Sequence, residues 1–155
     1  MTCSQGLLSY RLRLRHIAGV SLIELMMVIV IVGILATIAV PSYQSSVIRS
    51  HRLIAQGILT DTSARQAQYF VNNKAYATTL EELGLPDLYY VNANADVTSE
   101  ADAIYKIVLL TDSGNWDGFS AEPFNSQMND TQCATLSLSR TGAKGARGTD
   151  PSRCW

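Results

Sequence analysis

Four groups of side chains in this 155-residue chain have types and spacings that could do chemistry. Glu24 is the one charge in residues 20–40, VSLIELMMVIVIVGILATIAV. An acid at the centre of a hydrocarbon span costs about 2.5–3.5 kcal/mol on insertion scales, so Glu24 is either an interfacial acid or half of an ion pair. Cys133 and Cys154 are thiols that either pair or bind metal, and His51 is the one histidine after the apolar run, too few ligands for a metal centre. Arg140, Lys144, Arg147 and Arg153 stand against Asp150 in residues 131–155, whereas residues 81–130 hold ten acids and one base, Lys106. Such a basic segment either tracks phosphates or meets an acidic neighbour. Asp112, Asp117, Glu122 and Asp130 are oxygen ligands of the calcium-binding type, but their spacing matches no EF-hand and a solvated acidic face is the simpler reading.

His51 lies between Arg49 and Arg52 and reads as a solvated helix residue rather than a member of a Ser-His-acid set. P-loop, dinucleotide, HExxH and nucleophile-elbow patterns are missing from the sequence. The reading is therefore a non-enzyme with no cofactor and no metal. Asn129-Asp-Thr131 matches a glycosylation sequon, a weak signal.

The elements that must carry these residues follow from periodicity. Apolar residues make up 47% of the chain and charged residues 16%, with a net charge of −1, which excludes global disorder and a strongly basic nucleic-acid binder. The 21 residues 20–40 match the ~20 that a helix needs to span hydrocarbon. Arg11, Arg13, Arg15 and His16 precede the run with no acid, which orients the N-terminus to the cytoplasm. A secretory signal peptide, with Thr37 and Ala39 as a poor cleavage site, and a plain anchor are the rival readings. Pro41 is expected to kink or interrupt the helix, and Gly33 is a second soft point. Val47, Ile48, Ile54, Ala55, Ile58 and Leu59 then recur at helical spacing, carrying an amphipathic helix to about Val71.

Thr79 with Glu82 forms a capping-box pattern before a short helix that Gly84-Leu-Pro86 stops. Tyr69, Phe70, Tyr76, Tyr89 and Tyr90 read as packing under a loop. Strands are expected at Ala103–Thr111, Gly118–Glu122 and Ala134–Arg140, with turns at Asp112-Ser-Gly114-Asn and Asn129-Asp130. The fold class is α+β: one long helix on an antiparallel sheet of three or four strands. Thr141–Gly148 reads as a flexible basic loop.

The junction Arg11-Leu-Arg-Leu-Arg-His-Ile-Ala-Gly19 followed by Val20-Ser-Leu-Ile-Glu24 resembles the type IV prepilin signature, as does the run through Gly33 to Pro41. The resemblance implies a leader peptide at 1–19, which takes Cys3 with it, and prepilin peptidase cleavage between Gly19 and Val20. It implies N-methylation of Val20, and Glu24 pairing during assembly with the Val20 amine of a neighbouring subunit. The first mature residue is Val where Phe is commoner in the family, and the leader is longer than usual. The expected division is a transmembrane and filament-core helix at 20–47 and a periplasmic or extracellular head at 48–155, with its amphipathic helix at 48–71.

With Cys3 removed, Cys133 and Cys154 are an even pair in an oxidising compartment and are expected to join, closing a C-terminal loop at 133–154. The segment from Asp130 through ATLSLSR to Cys154-Trp155 resembles the end of PilE-type minor pilins. The implied function is a structural minor pilin, held in the inner membrane and then built into an extracellular pilus. Its implied partners are other pilins, the prepilin peptidase and the assembly machinery. A DNA-uptake minor pilin, binding through Arg140, Lys144, Arg147 and Arg153, is the second reading. A type II secretion pseudopilin is the third, disfavoured because those proteins often lack the cysteine pair.

Overall fold

The computed structural model describes residues 20–155, so Gly19 and the leader lie outside the described residues. One helix, α1, runs Leu22–Asn73. It begins where the Leu25 amide donates to the Ser21 carbonyl at 3.1 Å. It ends because Lys74 takes a left-handed φ of 59° while its amide still donates to the Phe70 carbonyl at 2.8 Å. Pro41 lies inside α1, and the helix is not interrupted there. Ser45 and Ser46 in the following turn donate their hydroxyls back to the Ser42 carbonyl, at 2.9 and 3.0 Å.

The chain divides into two compact units between Val40 and Pro41. In the first unit every described side chain is exposed, including Ile23, Met27, Ile31 and Leu35. This stretch belongs to a helix long and apolar enough, by length and composition, to cross a membrane. Gly33 has open space where a Cβ would stand.

In the second unit, Ala55, Ile58, Leu59, Thr62 and Gln66 form the buried stripe of α1, at the spacing of a helix with one covered face. Ala55, Ile58 and Leu59 join a single core with the inner residues of a five-stranded antiparallel sheet in the order β1-β2-β3-β4-β5. Its strands are β1 Tyr89–Val91, β2 Tyr105–Asp112, β3 Asn115–Pro123, β4 Leu136–Ser139 and β5 Lys144–Ala146. Tyr105, Phe119, Leu59, Ile107 and Leu136 are the largest apolar side chains wholly inside. The sequence expectation of three or four strands is corrected to five. β1 and β5 are three-residue edge strands, too short for an alternation pattern to declare them.

The hairpin between β2 and β3 turns on Ser113 and Gly114, both at positive φ (50° and 79°), the conformation that a two-residue loop between right-twisted strands requires. The expected strand at Ala134–Arg140 starts late, because Ala134 sits at φ 46° and directs the chain out of the preceding turn. Leu136 and Leu138 both face the core, as their alternation implies. The capping box at Thr79 forms reciprocally. The Thr79 amide donates to Glu82 Oε2 at 3.3 Å, and the Glu82 amide donates to Thr79 Oγ1 at 3.4 Å. The helix behind it is one 3-10 turn, Glu81–Leu83, stopped by Gly84 at φ 71°.

The C-terminal segment is folded back on the residues that precede β4. The amides of Thr149 and Asp150 donate to the carbonyls of Thr131 and Gln132 at 3.0 and 2.9 Å. Gly148 passes so close to Gln132 that a Cβ there would overlap its carbonyl. Cys133 and Cys154 form a disulfide with Cα atoms 5.5 Å apart, and both are buried. Closing a loop of that length removes denatured-state entropy equivalent to about 3 kcal/mol.

Candidate functional site

The C-terminal hairpin carries three of the four basic residues singled out from the sequence. Contrary to the sequence expectation of a flexible loop, Thr141–Gly148 is a tight turn followed by edge strand β5. Its carbonyl and amide groups are taken by β4 in the register Leu138↔Lys144 and Leu136↔Ala146. Ser139 organises the turn. Its amide donates to the Ala143 carbonyl at 2.9 Å, and its Oγ accepts from the Ala143 amide at 3.0 Å. Arg140 is fixed by its amide, which donates to the Asp117 carbonyl at 2.7 Å. The Arg147 amide extends the ladder to the Thr135 carbonyl at 3.0 Å. All four cationic side chains are exposed.

Strand alternation separates them. Lys144 and Ala146 share the face of Leu136 and Leu138, and Arg147 takes the opposite face. The basic residues therefore straddle a sheet edge rather than cover one surface. Lys144 Nζ lies 5.2 Å from the centroid of the Trp155 ring, whose Nε1 donates to the Gly145 carbonyl at 2.8 Å. Arg153 sits in the 3-10 turn Pro151–Arg153, with Nε 3.9 Å from Asp150 Oδ2. That pair is solvent-exposed and contributes little to stability.

A polar network that sequence reasoning missed ties the turn at 127–133 and Cys154 to α1. His51 and Asp130 had both read as solvated. Arg52 instead makes a two-pronged ion pair with Asp130, whose side chain is fully buried. Nε donates to Oδ2 and Nη2 to Oδ1, both at 2.6 Å. Hydrogen bonding to Asp130 raises the Arg52 guanidinium above its ordinary range, outweighing the opposing effect of burial. Asp130 Oδ1 also accepts from the Cys133 amide at 3.1 Å. Gln127, likewise buried, donates through Nε2 to Tyr105 Oη at 2.9 Å and to Asp130 Oδ2 at 3.3 Å. Its Oε1 lies 2.9 Å from His51 Nδ1. Burial drives the Tyr105 phenol far above its usual range, and the Gln127 hydrogen bond opposes this. One turn along α1 from Arg52, Gln56 Nε2 donates to the Cys154 carbonyl at 2.7 Å. Both half-cystines are thus held against the same stretch of helix. The one signal in the sequence was the Arg49–Arg52 pair set on a helix that also carries buried positions.

The four candidate calcium ligands are dispersed. Asp112 ends β2, Asp117 and Glu122 lie on β3, and Asp130 is engaged by Arg52. Among the described residues no three His, Cys, Asp or Glu side chains converge.

In the first unit, Glu24 stands in the first turn of α1, where the helix dipole favours a carboxylate. Val20 and Ser21 precede the helix, and Val20 is exposed. Both ends of the candidate assembly pair are therefore accessible to a neighbouring molecule.

Comparison with known proteins gives two family matches. Residues 14–40 match the prokaryotic N-terminal methylation motif. Residues 41–137, more than half of the chain, match the family described as type IV minor pilin ComP, DNA uptake sequence receptor. No curated protein matches the chain. Arg140, Lys144, Arg147 and Arg153 fall beyond the matched segment. An apolar N-terminal helix carrying the methylation motif, a five-stranded head closed by Cys133–Cys154 and a family match across most of that head lead to one conclusion: the chain belongs to the ComP family of type IV minor pilins.

Proposed function

We propose that this minor pilin presents its head to duplex DNA during uptake, the reading that ranked second on sequence alone. The observation that carries it is the match of residues 41–137 to a family described as a DNA uptake sequence receptor. The exposed cations at the edge of the same head add the charge that backbone phosphates require. The structural role is part of the proposal. The prepilin peptidase cleaves after Gly19, Val20 is methylated, and the helix beginning at residue 20 holds the subunit in the inner membrane. That helix then packs with those of other pilins in the filament, with Glu24 opposite a neighbour's Val20 amine. An ion pair of this kind fixes the register between helices that apolar contacts alone leave free to slide.

The DNA reading has a salt signature. Each phosphate neutralised on a duplex contributes about −0.9 to the slope of log affinity against log salt, so four cations give a slope no steeper than about −4. Fluorescence anisotropy of the mature chain in detergent, with a labelled random-sequence duplex, is expected to show such a slope. Replacing Lys144 and Arg147 together by Ala should flatten it by about 2 and weaken binding at low salt. An unchanged slope in the double variant would remove these two residues from the interface.

A further inference from the structure

A second basic feature of the head has a different shape and neighbourhood. A cavity of about 370 Å³ opens between residues 45–52 of α1 and the turn at 129–133, with Asp150 and Arg153 on its far side. Its lining residues include three arginines, Arg49, Arg52 and Arg153, and two aspartates, Asp130 and Asp150. The charges are not evenly spoken for. Asp130 is held by Arg52 through both oxygens, whereas Asp150 accepts from the Ser152 hydroxyl through Oδ1 at 2.9 Å and its Oδ2 lies 3.9 Å from Arg153 Nε. Arg49 has no hydrogen bond or ion pair among the described residues, though it lines the cavity.

Gln132 gives its Oε1 to Arg52 Nη2 at 3.2 Å, which leaves its amide NH2 as a donor at the rim. Ser45 and Ser46 have already spent their hydroxyl protons on the Ser42 carbonyl. Three arginines against two aspartates leave the lining with one positive charge in excess, and Arg49 and the Gln132 amide NH2 are the donors not engaged among the described residues, the complement of an anion with several oxygen acceptors.

The place of the cavity in the chain selects among such anions. Its helical wall begins at Ser45, five residues after the apolar run ends at Val40. A helix whose apolar stretch lies in hydrocarbon carries its next turns through the headgroup layer. We propose that the Arg49–Arg153 cavity binds the phosphodiester headgroup of an anionic phospholipid while the subunit is in the membrane. Arg49 and Arg153 contact the phosphate oxygens, and the Arg52–Asp130 pair forms the fixed floor. The contact anchors the base of the head on the lipid surface and is released when the subunit leaves the bilayer. The proposal rests on the membrane-anchored reading of the 20–40 stretch and goes beyond the DNA reading.

The test uses the mature chain in detergent micelles. Phosphatidylglycerol is titrated in, and retained lipid is counted by native mass spectrometry. Arg49→Gln and Arg153→Gln are each expected to reduce the retained phosphatidylglycerol about fivefold, the size expected of one cation at an anionic lipid surface. Arg49→Lys keeps most of it. Neither arginine is a core residue, so circular dichroism of all three variants should match the parent. Flotation with phosphatidylcholine vesicles reads the anchor alone and should not change. Loss of flotation in the parent would sink the membrane reading rather than the cavity. Equal phosphatidylglycerol retention by the parent and both Gln variants overturns the proposal. So does Arg49-dependent binding of a DNA duplex, or of inorganic phosphate alone, with phosphatidylglycerol retention unchanged.

Discussion

Arg52→Ala is expected to destabilise the head by about 3 kcal/mol, the lower end of the range for breaking a buried ion pair from one side. The reason is the partner left behind. Asp130 has no exposed side-chain surface, and it would retain only the Cys133 amide and Gln127 Nε2 as donors. A buried carboxylate with half of its hydrogen bonds is costly, whereas removing both charges is much less so. The double variant Arg52→Met with Asp130→Leu should therefore recover most of the loss. Against a total stability of about 5–15 kcal/mol for a domain of this size, the single change is large. Urea denaturation followed by circular dichroism measures both variants. A loss under about 1 kcal/mol for Arg52→Ala would show that the pair does not hold the helix to the disulfide segment as described.

Glu24→Ala is expected to have the largest effect on assembly and none on processing. Glu24 lies on the first turn of α1, in the exposed stretch 20–40 that contributes nothing to the buried core of the head, so its loss should leave folding unchanged. Removing it leaves a neighbour's Val20 ammonium without a partner in an apolar environment, which opposes incorporation of the subunit. Immunoblots of sheared pili and of membranes should show a processed subunit that accumulates in the membrane and is depleted from filaments. Glu24→Asp, which keeps the charge, should restore part of the incorporation. Filament content equal to the parent's in Glu24→Ala would refute the pairing.

The long helix was legible because two signals of different range agree. The apolar run declares itself by composition, and the Ala55–Gln66 stripe declares itself by period. β2, β3 and β4 were legible because each is at least four residues long and has an apolar inner face. Tyr89–Val91 and Lys144–Ala146 were not, because three residues contain little more than one period of alternation. The basic segment therefore read as a loop, although its backbone is committed to β4. The family resemblance was legible from Glu24, Gly33 and Pro41 at fixed places in an apolar run, and from the cysteine pair.

The polar network was illegible for a different reason. Arg52, Gln127 and Asp130 are individually the residue types most often found in solvent. Only the meeting of Asp130 with Arg52 and of Gln127 with the Ile48 carbonyl, each across nearly eighty residues, makes them interior. The same long-range placement hid the cavity, because Arg49 and Arg153 are 104 residues apart in the chain. Local periodicity carries no information about such pairs.

In the proposed function the apolar segment is retained and becomes the mature N-terminus. Intact-mass and peptide mass spectrometry of the subunit purified from sheared filaments tests it most directly. The expected chain begins at Val20 and carries one added methyl group on its amine. A mature chain that begins near residue 40, with the apolar segment removed, would contradict it.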